Sequence, residues 1–562
     1  MEKILKKDYI YIALISVITI VMIFFITQKE GYHEDEMFSY GSSSYVYDNV
    51  YRSYGKMDAT NSLVFNKILR GNVVDVIKNI KYYCLDHKDE RIAYCKDFNK
   101  NKRPIWRTSE EAKDYMTVTG KEILNYPLVY YNQARDVHPP LFYFAVNTVS
   151  TFFLGNFSKA IIGIINVSFM IATLFVIKKI LESLDKKHLI IPVLIFYGFS
   201  IGAISTVVFQ RMYAMLTFFI LEYILININI SKNNFDIDKK TWIKLGAITI
   251  LGFLTQYYFC IVAVIVAIYM FIRIYLKKDK KKTMKYILNY VKIAIIGVLI
   301  YPPAINHIFF SYRGIGKANM QKSFIEKIVE YFSKVGYSYS VPIVVLLTIV
   351  VVFLAIDIIK KVKNQEKIIN NENIMPFVLA VIFVLYMAVV IQVSPEYNTL
   401  RYIMAVLPIL AIVMFILIDA CFENKKISTS ILIVLASVVS IYGLIVSEPD
   451  CLFKGYNRYL KIAEENKHTK FVYIGSTLFN HIQSMPEFAI YDESLIIDSR
   501  EIKYVIEDEE LKKAEEFILS IKKYKGDKEI LKEIIDNTEF KNYELLLDDE
   551  GEPGCIIYKM KR

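Results

Sequence analysis

Three consecutive acids, Glu34, Asp35 and Glu36, follow shortly after the first long apolar run, which extends from Tyr9 to Thr27. A carboxylate held at a membrane boundary is costly to dehydrate, so such groups usually bind a ligand or take part in a reaction. An acid in this place could act as a general base or as a ligand for a hard cation. The alternative is a solvated loop that only follows a helix, and the stretch from Gly31 to Gly41 does not decide between the two by itself.

Other polar residues that could do chemistry stand at the ends of later apolar runs. They are Asp136 and His138, Arg211 and Tyr213, Gln256, Tyr257 and Tyr258, and Arg401 and Tyr402. Arginine can hold a phosphate through two parallel hydrogen bonds, and tyrosine and glutamine can bind sugar hydroxyls. Each type also has a plainer explanation. A boundary tyrosine is more often an interfacial anchor, Arg401 could be a charge that reaches the headgroups, and His138 could be a solvated helix-start residue.

The elements that must position these residues are apolar helices. The chain has 562 residues, of which 54% are hydrophobic, and a mean hydropathy of +0.33. The apolar residues form separate runs of about twenty, the length that crosses a bilayer as a helix. The net charge of +11 lies in short lysine clusters between these runs. This arrangement indicates an all-α polytopic membrane protein with charge-encoded topology and argues against a nucleic-acid surface.

The first run follows a basic N-terminus and lacks the small-residue cleavage site of a signal peptide, so it is predicted to be the first transmembrane helix. The later candidate spans are 158–177, 188–206, 209–229, 243–259, 260–275, 285–303, 341–359, 375–393, 401–420 and 427–446. Another apolar segment, 138–154, decides the sidedness of everything after it. If it does not cross, the basic loops fall on the cytoplasmic side, as the positive-inside rule requires, although the basic loop 304–340 counts against this topology.

The predicted organisation therefore has about eleven transmembrane helices and four regions. These are a first helix (1–27), an extracytoplasmic loop with juxtamembrane helices (28–157), a transmembrane core (158–447) and an extracytoplasmic C-terminal domain (448–562). In this topology every polar boundary residue named above falls on the outer face. Independent boundary residues would divide between the two faces, so their convergence favours an active site there.

The C-terminal region is predicted to be a separate, small α/β domain. Lys470 to Gly475 has the pattern of a buried strand, Glu509 to Lys525 has helical spacing, and 543–547 with 556–559 indicates a terminal hairpin. No catalytic motif is present in this region. We expect a structural or acceptor-guiding appendage.

The four cysteines on the predicted outer face could form disulfides. Pairs 84–95 and 451–555 are possible, but four cysteines allow three connectivities and the sequence does not choose among them.

In the outer loop 304–340, Ser323 to Lys334 has apolar residues at helical spacing with interleaved lysines. This pattern predicts an amphipathic helix on the membrane surface. Its charge could hold the phosphate of a lipid substrate or could simply attract anionic headgroups.

Five short motifs together resemble the C-type superfamily of integral-membrane glycosyltransferases, and most closely the protein O-mannosyltransferases and the aminoarabinose transferases of lipid A. The motifs are Asp35-Glu36, Asp136-Val-His-Pro-Pro-Leu141, Arg211-Met-Tyr213, Gln256-Tyr-Tyr-Phe259, and Arg401-Tyr402 with Pro408. The resemblance covers residues 1–446 and does not extend to the C-terminal region. Gln256 stands where many relatives have histidine, which leaves the role of that position in doubt.

The resemblance implies a polyprenyl-phosphate-linked sugar as donor and, usually, inversion at the anomeric carbon. On this hypothesis Asp35 is the general base, Arg211 and Arg401 stabilise the phosphate, and Glu36 or His138 could bind a divalent cation. The acceptor would be a cell-envelope glycan, a lipid or a protein hydroxyl. The protein would lie in the plasma membrane with its active site and C-terminal domain outside.

The competing class is a polytopic transporter or a flippase for lipid-linked sugars. A transporter is expected to place ionisable residues near the bilayer midplane. The predicted spans are nearly free of charge at their centres, which favours an enzyme at the interface. A non-catalytic scaffold for the C-terminal domain would not account for the Asp-Glu and His-Pro-Pro motifs.

Overall fold

The fold comprises two compact units. The structure is a computed structural model that describes residues 2–44, 63–100, 104–120, 122–310, 323–363, 374–394, 400–476, 478–523, 527–551 and 553–562. What we call the helical unit comprises Met1–Thr27, Asp136–Phe142 and Gly163–Asp450. What we call the mixed unit comprises Gln28–Arg135, Tyr143–Ile162 and Cys451–Arg562.

Long apolar helices build the helical unit. They are Glu2–Gln28, Ala160–Ser183, Ile190–Gly198, Ile201–Val208, Tyr213–Lys232, Lys239–Thr255, Phe259–Tyr275, Lys280–Ile300, Phe324–Ser338, Ile343–Lys363, Ile374–Val393, Leu407–Ala420 and Lys425–Val446. Within the described residues, seven helices are long and apolar enough to cross a membrane, or up to eight if the bent pair Lys187–Gly198 and Ile201–Val208 counts as one span. The predicted segments outside that set are helical too, but the count of eleven crossings stays a prediction.

The segment that decides the predicted topology is a short helix. Leu141–Ser150 continues into a 3-10 turn, Thr151–Phe153. This stretch falls short of the about 20 residues that a membrane crossing requires. Its length agrees with a helix that does not span.

A buried carboxylate fastens several helix ends of the helical unit together. The side chain of Asp419 is fully buried near the end of Leu407–Ala420. It accepts hydrogen bonds from His188 at 2.9 Å and Ser428 at 2.8 Å, and the ammonium groups of Lys186 and Lys425 lie 3.2 and 3.1 Å away. A buried carboxylate is tolerated only with such partners. The predicted cytoplasmic lysines 186 and 425 therefore meet in one network.

A six-stranded sheet forms the centre of the mixed unit. Its strands are β1 (Arg107–Thr108), β2 (Lys470–Gly475), β3 (Glu493–Asp498), β4 (Glu516–Lys522), β5 (Asn542–Asp548) and β6 (Cys555–Lys561). Their order is β1-β3-β2-β4-β6-β5, with β2 parallel to β3 and β4 and the other pairs antiparallel. The strand at 470–475 and the terminal hairpin are as predicted.

Short helices make up the rest of the mixed unit. They are Glu34–Ser44, Val73–Lys81, Lys88–Lys100, Ser109–Met116, Tyr126–Arg135, Asn457–Glu465, Leu478–Gln483, Met485–Phe488, Lys503–Ile506 and Asp527–Asn537.

The C-terminal region is not separate from the first loop. Strand β1 comes from the first loop and pairs with β3, with Arg107 opposite Ser494. The indole N–H of Trp106, just before β1, donates to the Asp508 carboxylate at 3.2 Å. Residues 28–135 and 451–562 thus belong to one compact unit, because a loop strand extends the C-terminal sheet.

A further expectation for the C-terminal region was wrong. Residues 509–525 form a 3-10 turn, Leu511–Lys513, and strand β4 in place of a helix. The apolar run from Phe517 to Ile521 is buried throughout, as in a strand covered on both faces. All six cysteines are free thiols, and Cys555 lies in the core with its sulfur 3.8 Å from the Tyr473 hydroxyl.

A buried acid makes the stability of the mixed unit depend on pH. Glu487 is 1% exposed and accepts a hydrogen bond from the Tyr456 hydroxyl at 3.1 Å. Burial raises its pKa from 4.5 to about 7. Between these values the folded state holds a proton that the unfolded state has released. The free energy of unfolding therefore falls as pH rises through this window and levels off above it.

Glu487→Gln keeps a hydrogen-bond acceptor and removes the charge. We expect this variant to exceed the wild type in unfolding free energy by about 1–3 kcal/mol at pH 8 and to match it near pH 4. Urea unfolding of the purified protein at both pH values measures this, with Glu465→Gln on an exposed helix end as control. The same difference at both pH values would contradict the assignment.

Candidate active site

The three acids begin a short helix, Glu34–Ser44, which we call the acidic helix. Acids in the first turn are favoured because the backbone N–H groups there carry partial positive charge. The Asp35 side chain is 17% exposed, and its backbone N–H donates to Nδ1 of His33 at 3.1 Å. Asp35 can therefore meet a ligand while its backbone is held.

Glu36 is in a different environment from Asp35. Its carboxylate lies 2.9 Å from the ammonium of Lys29, and both side chains are fully buried. The same oxygen accepts the backbone N–H of His33 at 2.6 Å. The sequence predicted Asp35 as the general base and a supporting or cation-binding role for Glu36, and of these two side chains only that of Asp35 is partly exposed.

Amide side chains of the mixed unit fix the end of the acidic helix. Asn132 donates to the carbonyl of Ser42 at 3.0 Å, and Asn147 donates to that of Ser43 at 2.8 Å. A side chain at Gly41 would overlap the ring of Tyr115. These contacts fix the position of the C-terminal end of the acidic helix.

In the helical unit, residues from two motifs meet, and we call them the His138 trio. Nδ1 of His138 lies 2.7 Å from the Asp136 carboxylate, and Nε2 lies 3.3 Å from Nη2 of Arg211. A guanidinium can only donate, so Nε2 must accept and the ring proton sits on Nδ1, facing Asp136. Asp136 thereby orients a neutral imidazole, which in turn orients the Arg211 side chain.

A break between two helices places Arg211. The helix Ile201–Val208 ends and Tyr213–Lys232 begins on either side of it, and Arg211 is only 3% exposed. Asn166 is fully buried and donates to the carbonyls of Val207 and Phe209, both at 3.1 Å. Asn166 thus satisfies backbone groups that the break leaves without helical partners.

Tyr301 and His307 extend the His138 trio, and the sequence motifs did not assign either of them a role in the site. The Tyr301 hydroxyl donates to the carbonyl of His138 at 3.3 Å. The Tyr257 hydroxyl lies 2.9 Å from Nδ1 of His307, which is 4% exposed. The preceding Pro302-Pro303 was the available signal, because it ends the helix Lys280–Ile300 and turns the chain.

A second group of predicted residues is aromatic. The rings of Tyr258 and Tyr402 pack with centroids 5.4 Å apart, and the Arg401 guanidinium lies 4.9 Å from the Tyr402 ring. Tyr213 stacks on Phe209 at 5.8 Å.

Gln256 lies in the break between the helices Lys239–Thr255 and Phe259–Tyr275. Its side-chain oxygen accepts the backbone N–H of Tyr257 at 2.7 Å, so this side chain shapes the break after Lys239–Thr255.

The predicted amphipathic helix is present as Phe324–Ser338, but one of its lysines is buried where a charge at the membrane surface was expected. Phe324, Ile325 and Val329 are exposed, whereas Lys327 is 2% exposed and donates to the carbonyl of Ser394 at 3.4 Å. The exposed apolar face suits contact with lipid, and the ammonium of Lys327 is buried inside the protein.

The two residues considered for a divalent cation do not fit one. In the part of the chain that the structure describes, no group of three or more His, Cys, Asp or Glu side chains is placed to hold a metal ion. Glu36 is already paired with Lys29, and His138 with Arg211. A cation added beside either would face a fixed positive charge.

Comparisons with known proteins gave distant structural similarity alone. No protein-family model and no curated protein matches the chain. ArnT from Cupriavidus metallidurans in the apo state is similar over 81% of this chain and 93% of that one, at 8% identity and a TM-score of 0.46. The same protein bound to undecaprenyl phosphate is similar over 75% and 87%, at 8% identity and a TM-score of 0.42.

The Archaeoglobus fulgidus oligosaccharyltransferase in complex with Zn and sulfate is also similar, at 10% identity and a TM-score of 0.35. The match covers 63% of this chain and 53% of that one, so this chain spans about half of its length. The identities and TM-scores are low, and the function is therefore argued from the chain's own residues.

The role of Asn166 at the helix break is testable. Asn166→Leu removes the side-chain donor to the carbonyls of Val207 and Phe209, of which that of Phe209 still accepts the backbone N–H of Arg211 at 2.7 Å, and this loss should lower the unfolding free energy by about 2–5 kcal/mol. Ser168→Ala on the same helix removes an exposed hydroxyl and serves as the matched control. We expect a clear fall in melting temperature for the first variant alone. Equal melting temperatures for the two variants would contradict the account of the break.

Proposed function

We propose that this protein is a membrane glycosyltransferase that moves a sugar from a polyprenyl-phosphate-linked donor to a hydroxyl acceptor outside the cytoplasm. One observation carries the proposal. His138 and Arg211, which are 73 positions apart and belong to different motifs, meet at 3.3 Å. Two residues of separate motifs, both of types that can hold a phosphate ester, are therefore in direct contact.

Arg211 is the residue proposed to stabilise the leaving phosphate. A guanidinium carries five N–H donors in a planar fork, and this geometry matches the oxygens of a phosphate. Charge that develops on the phosphate oxygens in the transition state is stabilised best by donors that are already oriented. Arg401, beside Tyr402, is the second candidate for this role.

Asp35 is proposed as the general base. It would take the proton of the acceptor hydroxyl while that oxygen attacks the anomeric carbon. The bond from the anomeric carbon to the phosphate oxygen breaks at the same time, and its electron pair leaves with the polyprenyl phosphate. Attack opposite to the leaving group inverts the anomeric centre. The acceptor would be a cell-envelope glycan, a lipid or a protein.

Substrate contacts are proposed for the residues around these groups. Asp136 and His138 would keep Arg211 in place, and Tyr213, Gln256, Tyr257, Tyr258 and Tyr402 would line the sugar and lipid-phosphate path. The rings of Tyr258 and Tyr402 already pack together, which supports a shared aromatic surface. Sugars bind well to such surfaces because ring C–H groups pack on aromatic faces while the hydroxyls accept and donate hydrogen bonds.

A transporter or flippase is the rival proposal, and a charged pair inside the helices bears on it. Glu222 lies 2.6 Å from Lys244 between Tyr213–Lys232 and Lys239–Thr255. A carboxylate neutralised by a neighbouring lysine needs no transported ion as partner. This pair therefore gives the transporter no specific support.

Asp35→Asn tests the catalytic assignment. General base catalysis contributes about 10²–10⁴-fold, so sugar transfer by the purified variant should fall by about that factor. Membrane insertion and melting temperature should be retained, because the Asp35 side chain is partly exposed. Glu34→Gln, one position earlier on the same turn, is the matched control and should keep its activity. Full transfer by Asp35→Asn would refute the role of Asp35.

Chelation tests whether a cation takes part. Because Glu36 and His138 are held beside fixed positive charges, we expect the transfer rate of the purified protein to be the same with and without excess EDTA. A loss of transfer that is restored by adding a divalent cation would show a metal requirement and would contradict this expectation.

A further inference from the structure

The feature that carries a further inference is the buried pair Lys29–Glu36, which connects the acidic helix to the C-terminal region. The ammonium of Lys29 lies 2.9 Å from the Glu36 carboxylate and donates to the carbonyl of Cys451 at 2.5 Å. Lys159 donates to the carbonyl of Lys29 at 2.6 Å. The first turn of the acidic helix and the start of the C-terminal region thus share the ammonium of Lys29.

Glu30 makes a second connection to the same segment. Its backbone N–H donates to the carbonyl of Leu452 at 2.9 Å. Its carboxylate accepts the backbone N–H of Gly455 at 2.6 Å and that of Asn457 at 3.5 Å. The two segments are therefore joined through backbone groups as well as through side chains, which fixes their relative register.

Close packing completes the contact. A Cβ added at Gly31 would lie 2.8 Å from the Tyr456 ring and 2.9 Å from Cβ of Phe453. The acidic helix itself packs on the C-terminal helix Leu478–Gln483. We call the contacts of residues 29–31 and Glu36 with residues 451–457 the clamp.

Burial decides what Glu36 can do. Releasing its carboxylate to a substrate or a cation would leave the Lys29 ammonium buried without its partner, which is strongly unfavourable. Asp35, the residue before Glu36, has a side chain that is 17% exposed, and its carboxylate lies 3.8 Å from Nδ1 of His33. The two adjacent acids therefore differ in function because their surroundings differ in polarity and access.

We propose that Lys29 and Glu36 are positioning residues, and that the C-terminal region uses the clamp to hold the acidic helix so that Asp35 faces the reacting hydroxyl. The inference rests on the proposed function for its catalytic part. Its structural part, the dependence of the acidic helix on the clamp, stands without it. It gives the C-terminal region a direct task in the reaction, where the sequence alone suggested an appendage.

A double-mutant cycle on the full-length protein tests the pairing. Glu36→Gln and Lys29→Met each leave one buried charge, and the double variant removes both. Each single variant should lower kcat by about 10²-fold with little change in donor KM, since misplacement of a reacting group by about 1 Å has that effect. The double variant should recover part of that loss, because no charge is then left buried. A residue that acted directly on substrate or metal would show no recovery.

Hydrogen–deuterium exchange supplies a readout that does not need activity. Both single variants should raise exchange in residues 34–44 and leave strand β2 unchanged, and the double variant should restore protection. The matched control is the surface pair Glu509–Lys512, in which the ammonium nitrogen lies 2.8 Å from a carboxylate oxygen, close to the 2.9 Å of the buried pair. Glu509→Gln and Lys512→Met should change neither exchange nor kcat, because exposed pairs contribute little.

Glu30→Gln weakens the clamp but leaves the buried pair Lys29–Glu36 unchanged. This variant keeps the inference testable if the single variants of the pair fail to fold. It should also raise exchange in residues 34–44 and lower kcat with KM retained. If Glu36→Gln abolished transfer while exchange in the acidic helix stayed unchanged and Lys29→Met restored nothing, the inference would be overturned. If the wild type transferred no sugar, the exchange results alone would decide on the clamp, so the two failures are distinguishable.

Discussion

A charge that is removed from water needs a partner, and most of the polar architecture of this protein follows from that constraint. Asp419 is fully buried and collects two lysines, a histidine and a serine. Lys29 and Glu36 are buried together. Arg211, at 3% exposed, contacts a histidine that Asp136 holds. Each of these groups ties together segments that are distant in sequence, so the same cost that limits charges in a membrane protein also organises its helix ends.

The constraint also separates residues that fix structure from residues that can react. Glu36 satisfies a buried cation and a backbone N–H, whereas the Asp35 side chain remains partly open. In the same way Asp136 and His138 serve Arg211, whose donors are suited to phosphate. Few of the polar residues in such a site are reactive, because most of them serve to hold the reactive side chains in place.

The sequence predicted the long apolar helices, strand β2 and the terminal hairpin, because periodicity and chain length encode them locally. It also placed Asp136, His138 and Arg211 together, since residues at corresponding ends of alternating helices meet. It named Asp35 as the base and Glu36 as a supporting residue, but it could not show that Glu36 is buried against Lys29, because that pairing depends on residues more than 400 positions away. Strand β4 was mistaken for a helix because a strand buried on both faces has a continuous apolar run with no period of two. Strand β1 was missed because two residues carry almost no pattern.

Cleavage of the bond between a sugar and a lipid phosphate is the reaction proposed for this protein. It can be measured with the purified wild type in lipid nanodiscs, using cell-envelope acceptors and polyprenyl-phosphate sugars labelled on both the lipid and the sugar. We expect free polyprenyl phosphate to be released in step with the appearance of labelled sugar on an acceptor. Transfer of the intact donor across a sealed vesicle membrane, with no polyprenyl phosphate released, would contradict it and would indicate a flippase.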